Sequence, residues 1–233
     1  MKLFLSIATI FLFIACNKDK VKSTQTSLFI FNASPNAGKL QLFQNLKQIG
    51  ITEFDYVSNL TAGMAQYQLV DSGFQNYKIK KAGIEYVNTL LSTTGTHASF
   101  FMYDSLRMLR YFLINDNLDT PGSTAAKIRI IHLAPDLDTF NLALNGVFVK
   151  TQGGQNVDWL FYSSQPTVLA SGLAGFFNVD SGNYAIQIRQ KNPQLVLKNY
   201  QYKLQSNGVY TLILKGYKNR GGADSLSLSV VKH

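Results

Sequence analysis

The sequence predicts an all-β protein, two tandem β-sandwiches of immunoglobulin- or transthyretin-like type behind an amino-terminal lipoprotein signal peptide. Three observations carry this. The 233 residues include 16 Phe and 12 Tyr, and with many Val, Ile and Thr this composition suits half-buried pleated strands. Short runs of alternating polarity recur along the chain, while no long stretch has helical spacing. The landmarks of the first half return in the same order in the second.

The repeat defines the elements. Ser27-Leu28-Phe29-Ile30-Phe31 reads as a strand leading into Asn32-Ala33-Ser34-Pro35-Asn36. Lys127-Ile128-Arg129-Ile130-Ile131 leads in the same way into His132-Leu133-Ala134-Pro135-Asp136. An alternating strand follows each, Lys39 to Phe43 and Phe140 to Leu144, the second closed by the hairpin signal Asn145-Gly146. Val70-Asp71-Ser72-Gly73 returns as Val179-Asp180-Ser181-Gly182, and Asp104-Ser105-Leu106 as Asp224-Ser225-Leu226. Tyr184 to Arg189 and Ser225 to Val230 alternate, whereas Val209 to Leu214 is a continuous β-prone run and reads as a central strand. Asn115 to Ala125 is polar and turn-rich, as a linker should be. The expected organisation is a signal over 1–15, a lipidated tether over 16–26, sandwiches over 27–117 and 127–233, and a linker over 118–126.

The amino end predicts the address. Leu3 to Ile14 is an apolar run behind Met1-Lys2, too short for a bilayer core that needs about 20 apolar residues but of the length of a secretory signal. Phe13-Ile14-Ala15-Cys16 resembles a bacterial lipobox, which implies acylation of Cys16. Two or more acyl chains anchor stably where one is marginal. The expected location is the cell envelope, held at the outer membrane on its periplasmic or its surface face. Cys16 is the sole cysteine, so a mature chain has neither a disulfide nor a thiol nucleophile to offer.

The segment from Lys127 to Gly146 resembles the opening of the DUF4397 domain, a bacterial and archaeal domain of unknown function: a strand, His or Asn, a small residue, Ser-Pro-Asp, and a strand ending in Asn-Gly. Gly182-Asn183-Tyr184 resembles its mid-domain turn, and Asn117 to Pro121 the junction in tandem lipoproteins of the Bacteroidota. The resemblance implies an extracellular or envelope β domain. It implies no reaction.

Charge and motifs narrow the function. The net charge is +9, concentrated in the second half but scattered singly, which reads as a solubilising surface and not as a nucleic-acid face. The repeated Asp-Ser-Gly at Asp71 and Asp180 invites an aspartic-protease reading, in which two carboxylates share a proton, but a tight turn explains it equally. His132 stands near Asp136 and Asp138, a conceivable cation site, although a hydrogen bond within its own turn is the expected role. His97 lies in the other copy, and His233, the last residue, is expected to fray. Asp104-Ser105 and Asp224-Ser225 also resemble acceptors of O-glycosylation in the Bacteroidota, and here too a turn suffices. Trp159, Phe161 and Tyr162 lie where the second copy has gained residues. They either fill the core or form a platform for a glycan or protein ligand, and Glu53 to Tyr56 is the counterpart in the first copy. The expected role is non-catalytic: binding, adhesion or scaffolding at the envelope, with membrane contact through the lipid. A glycan-binding accessory of a polysaccharide-uptake system is the first alternative, and an aspartic-protease-like hydrolase the second. No metal or cofactor is expected.

Overall fold

The computed structural model describes residues 24–50, 53–56, 63–122, 124–137, 139–149, 160–161, 175–190 and 195–233. The expected signal over 1–15, Cys16 and the expected tether up to residue 23 lie outside them. Among the described residues the chain is all-β, with 18 strands and no α-helix.

The first half builds two four-stranded sheets. One has the order β5-β1-β8-β9, from β5 (Tyr67–Asp71), β1 (Gln25–Ala33), β8 (His97–Tyr103) and β9 (Arg110–Asn115). The other has the order β3-β2-β6-β7, from β3 (Lys47–Gln48), β2 (Gln41–Gln44), β6 (Gly73–Lys81) and β7 (Ile84–Thr93). The second half repeats the plan. β14 (Phe177–Asp180), β10 (Ala125–Leu133), β17 (Val209–Lys215) and β18 (Ser227–Lys232) lie in that order, and so do β12 (Val147–Phe148), β11 (Thr139–Leu144), β15 (Gly182–Gln190) and β16 (Leu195–Leu204). A short β13 (Leu160–Phe161) pairs with β11, as the isolated bridge between Leu40 and Phe54 does in the first half. Four sheets thus form two β-sandwiches of the same strand order.

Register fixes the equivalence residue by residue. β1 runs parallel to β8 with Ser27 opposite His97, and β10 runs parallel to β17 with Lys127 opposite Val209. This parallel pair inside each inner sheet is not legible in the alternation, which carries no strand direction. Antiparallel β9 and β18 extend the equivalence, with Asn115 opposite Ala98 and Lys232 opposite Tyr210. Phe29 therefore matches Arg129, Tyr67 matches Phe176, Ser99 matches Thr211, and Asp116 matches His233.

Side chains alternate across a strand, and here both faces of the inner sheets are covered. Leu28, Ile30, Phe100 and Met102 pack with Leu40, Leu42, Tyr77 and Ile79 inside the first sandwich. Ile128, Ile130, Leu212 and Leu214 pack with Phe140, Leu142, Ile186 and Ile188 inside the second. The opposite faces meet each other: Phe29, Phe31, Phe101, Tyr103 and Phe112 lie against Ile131, Leu133, Ile213 and Val231. Sheets covered on both faces read as near-continuous apolar runs, which is why Val209 to Leu214 lacks alternation. The molecule is a four-layer stack with the two doubly covered sheets in the middle.

One strand stitches the layers together. β4 (Gly63–Met64) comes from the first half yet pairs in parallel with Val231 and Lys232 of β18, and the Ala65 amide donates to the Lys232 carbonyl at 2.7 Å. A few residues later the same stretch, as β5, is in the first inner sheet.

Candidate functional site

The loop motifs come first, because their chemistry is built locally. In the first sandwich the Asn32 amide donates to the carbonyls of Gly38 and Phe54 at 2.8 and 2.9 Å, and its Oδ1 accepts from the Ser34 amide at 3.0 Å. In the second, His132 Nδ1 accepts from the Ala134 amide at 3.2 Å and Nε2 lies 2.7 Å from the Leu137 carbonyl. Accepting at Nδ1 fixes the tautomer, with the proton on Nε2 donated to Leu137. Burial holds the His132 imidazole down to about 3, against the opposing pull of that carbonyl. Asp136 spends both carboxylate oxygens on the amides of Lys218 and Asn219, at 2.6 and 3.1 Å. His132 and Asp136 therefore hold backbone, and Asp138 lies outside the described residues.

Asp71 and Asp180 end equivalent strands of different sheets, both exposed. The backbone of Asp71 is clasped by the Gln44 amide, whose Nε2 donates to the Asp71 carbonyl at 2.8 Å while Oε1 accepts its amide at 2.9 Å. Asp104 sits at φ 70° and takes the Ser105 amide on its carboxylate at 2.6 Å, while its carbonyl accepts the Ser34 hydroxyl at 2.5 Å. Ser225 follows a 3₁₀ turn over Gly222–Asp224, and Leu226 is buried in the core. Each Asp-Ser-Leu is thus a turn whose leucine re-enters the sandwich.

The last residue is the main departure from expectation. His233 does not fray. Its Nδ1 lies 2.6 Å from the Tyr67 hydroxyl, its Nε2 lies 2.6 Å from the Thr211 hydroxyl, and its amide donates to the Val209 carbonyl at 2.8 Å. Burial first, then the charge of Arg129, holds its imidazole down to about 3. Beside it Arg129 is fully buried, with Nη1 on Asp116 at 2.5 Å, Nη2 on Ser99 at 2.7 Å and Nε on Thr211 at 2.7 Å. These groups join the two inner sheets. The sequence hid them: Arg129 alternates with Ile128 and Ile130 as a solvent-facing residue would.

A groove opens along the same seam. It encloses about 760 Å³ and draws on both halves. Phe29, Phe31 and Phe54 from the first half and Val231 from the second give it an apolar lining, and Glu53, Asp55, Gln66 and Gln68 supply polar groups. Met64, on the stitching strand, borders it and is 70% exposed. A recess of this volume with an apolar lining and a few polar groups is the usual form of a small-ligand site. Next to it the buried Tyr56 hydroxyl makes no hydrogen bond among the described residues. Its ring lies 4.9 Å from the Lys215 ammonium, which burial brings down to about 8 and which donates to Ser227 at 3.0 Å.

Of the aromatic stretch in the second half, only residues 160–161 are described. Trp159 and Tyr162 lie outside the described residues, and Phe161 is described only as backbone paired with Thr139. Its counterpart in the first half is clearer: the Phe54 side chain packs against the core of the first sandwich. Nearby on β11, Asn141 is 1% exposed and neither its Oδ1 nor its Nδ2 is hydrogen-bonded among the described residues.

The fold and the seam define a double β-sandwich protein whose open groove lies where its halves meet. The family model of a domain of unknown function, DUF4397, matches residues 19–143, and the chain belongs to that family. The match runs through the whole first sandwich and into β11 of the second. Among solved structures, the chain is similar to CBMbc, a family CBM26 module of Amy13K from Eubacterium rectale in complex with maltoheptaose. The two are 13% identical over 86% of this chain and 100% of that one, with a TM-score of 0.24. It is also similar to a fimbrial assembly protein from Parabacteroides distasonis, 10% identical over 84% of this chain and 92% of that one, with a TM-score of 0.19. Likenesses at this level carry no argument about function. No curated protein matches the chain.

Proposed function

We propose that this chain is a lipid-anchored cell-envelope protein whose role is binding, not catalysis. The groove at the seam is the observation that carries the reading: an open recess of about 760 Å³ lined by the first half, with Val231 added from the second. The loop chemistry supports it from the other side. Asn32, His132 and Asp136 are each committed to backbone partners in their own half, so these groups build scaffold. The same strand order and the same loop bonds in the second half support its being a second copy of the family's domain. The lipobox at Cys16 supports envelope anchoring, and lipidation would hold the whole stack at a membrane surface.

Within this reading a glycan is the ligand class the groove favours. Amide and carboxylate groups beside aromatic rings match the polar edges and apolar faces of a sugar. The test uses the chain from residue 17 onward, without acyl groups, and a panel of bead-immobilised neutral and acidic polysaccharides. Met64→Arg fills the mouth of the groove from an exposed position, so it should abolish retention and leave the melting temperature unchanged. Retention of the wild type on no polysaccharide would remove the glycan reading, and unchanged retention of Met64→Arg would move the site elsewhere. The anchor is checked separately by labelled-palmitate incorporation, expected for the wild type and lost in Cys16→Ser.

A further inference from the structure

The seam between the sandwiches has an internal symmetry that its residue types break. The equivalences set by register are Phe29 with Arg129, Tyr67 with Phe176, Ser99 with Thr211 and Asp116 with His233. The contacts repeat under the same exchange. Arg129 reaches Asp116 across the seam, and Phe29 reaches His233 across it, with ring centroids 5.5 Å apart and planes at 85°. Ser99 donates to Asp116 at 2.6 Å in the first half, and Thr211 bonds His233 at 2.6 Å in the second. Phe176 lies under the Arg129 guanidinium at 4.5 Å, and Tyr67 lies beside the Phe29 ring at 6.1 Å. One guanidinium bonds both Ser99 and Thr211, so these equivalent hydroxyls face each other across a local two-fold axis.

Two copies of one surface meeting about a two-fold axis is the geometry of a symmetric homodimer. Here one arm is ionic, Arg129 on Asp116, and the other is aromatic, Phe29 on His233. A first sandwich paired with another first sandwich would set Phe29 against Asp116 on both arms and bury two carboxylates without a cation. A second paired with a second would set Arg129 against His233 on both arms and bury two guanidiniums without an anion. An uncompensated buried charge is strongly unfavourable, and such mismatches reject a wrong partner more sharply than contacts reward a right one.

We propose that this seam is a recognition surface whose partner is fixed as the opposite sandwich, and that the Arg129–Asp116 arm is what excludes pairing of like with like. It fits a dimerisation face turned inward by tandem linkage: the surface that would join two equal copies now joins two unequal ones.

The test transplants an arm in the intact chain. Phe29→Arg puts a second guanidinium opposite His233 and should lower the melting temperature by many degrees, as should His233→Asp alone. The pair Phe29→Arg/His233→Asp recreates the ionic arm on the other side and should recover at least half of the loss. A double variant no more stable than Phe29→Arg alone overturns the proposal. A second reading uses the wild-type chain with a protease site inserted between Thr120 and Gly122, cut after folding and examined by native mass spectrometry. One species of one first and one second sandwich is expected. Separation of the halves, or any like pair, overturns the proposal as well.

Discussion

The turn after the first strand and the seam behind it treat the same repeated strand plan in opposite ways. In the turn, Asn32 and His132 are different side chains with one task, since each accepts an amide two residues on and donates to a carbonyl of its own half. At the seam, Phe29 and Arg129 hold equivalent places and do unlike things. The turn needs only a donor and an acceptor at the right reach, so either residue serves. The seam needs a complement, so a change on one side demands one on the other. Positions that serve their own sandwich can differ between the halves without a matching change, while positions that serve the other sandwich are tied in pairs.

The largest way to break this comparison is to orphan the buried cation. Asp116→Ala leaves the fully buried Arg129 guanidinium with hydroxyl partners only. Burial already draws its pKa down and Asp116 opposes that pull. Breaking one partner of a buried pair typically costs about 3–5 kcal/mol, and denaturant unfolding followed by tyrosine fluorescence should register a loss of that order. A loss below 1 kcal/mol would mean that water reaches the seam.

What the sequence revealed follows the same division. The strands, the hairpin at Asn145 and Gly146 with φ 52° and 80°, and the paired turns were legible because each depends on residues close in the chain. The seam was not. Arg129 is spaced like a surface residue, and its counterion follows a different strand in the other half. His233 looked free because a chain end usually has nothing to bond, yet here the equivalent of Asp116 falls on the final residue. The groove was equally hidden, since its wall needs β4 to leave the first sandwich and pair with β18.

A second prediction uses acid to separate turn from seam. Both His132 and His233 are held down to about 3, whereas an unfolded imidazole titrates near 6.5. As pH falls below about 6.5 the unfolded chain takes up protons that the folded one refuses, so stability is full above that value and declines toward pH 3. The slope is about 1.4 kcal/mol per pH unit for each imidazole. His132→Asn, which places the first half's residue in the second half's turn, should remove its half of that histidine slope and cost only about 1 kcal/mol at pH 7. The check is urea midpoints for both proteins from pH 7 to pH 4. Parallel curves would show that His132 already titrates normally in the folded turn.

The smallest effect belongs to the hydroxyl of Tyr67, and it asks whether the aromatic arm is held by shape or by bonding. Its equivalent in the second half, Phe176, stacks on Arg129 with no hydroxyl at all. Tyr67 differs by one oxygen, 2.6 Å from His233 Nδ1. Tyr67→Phe keeps the ring beside Phe29 and strips the imidazole of that partner, while Nε2 keeps the Thr211 hydroxyl. Losing one hydrogen bond of this kind costs about 1 kcal/mol, read as a small drop in melting temperature. The sharper reading is the His233 imidazole in an NMR titration. Burial is the main cause of its low value, so removing the hydroxyl should leave it well below 6.5 if the arm stays closed. A return to an ordinary histidine value would mean that this one bond, and not the packing around it, keeps the end of the chain in the seam.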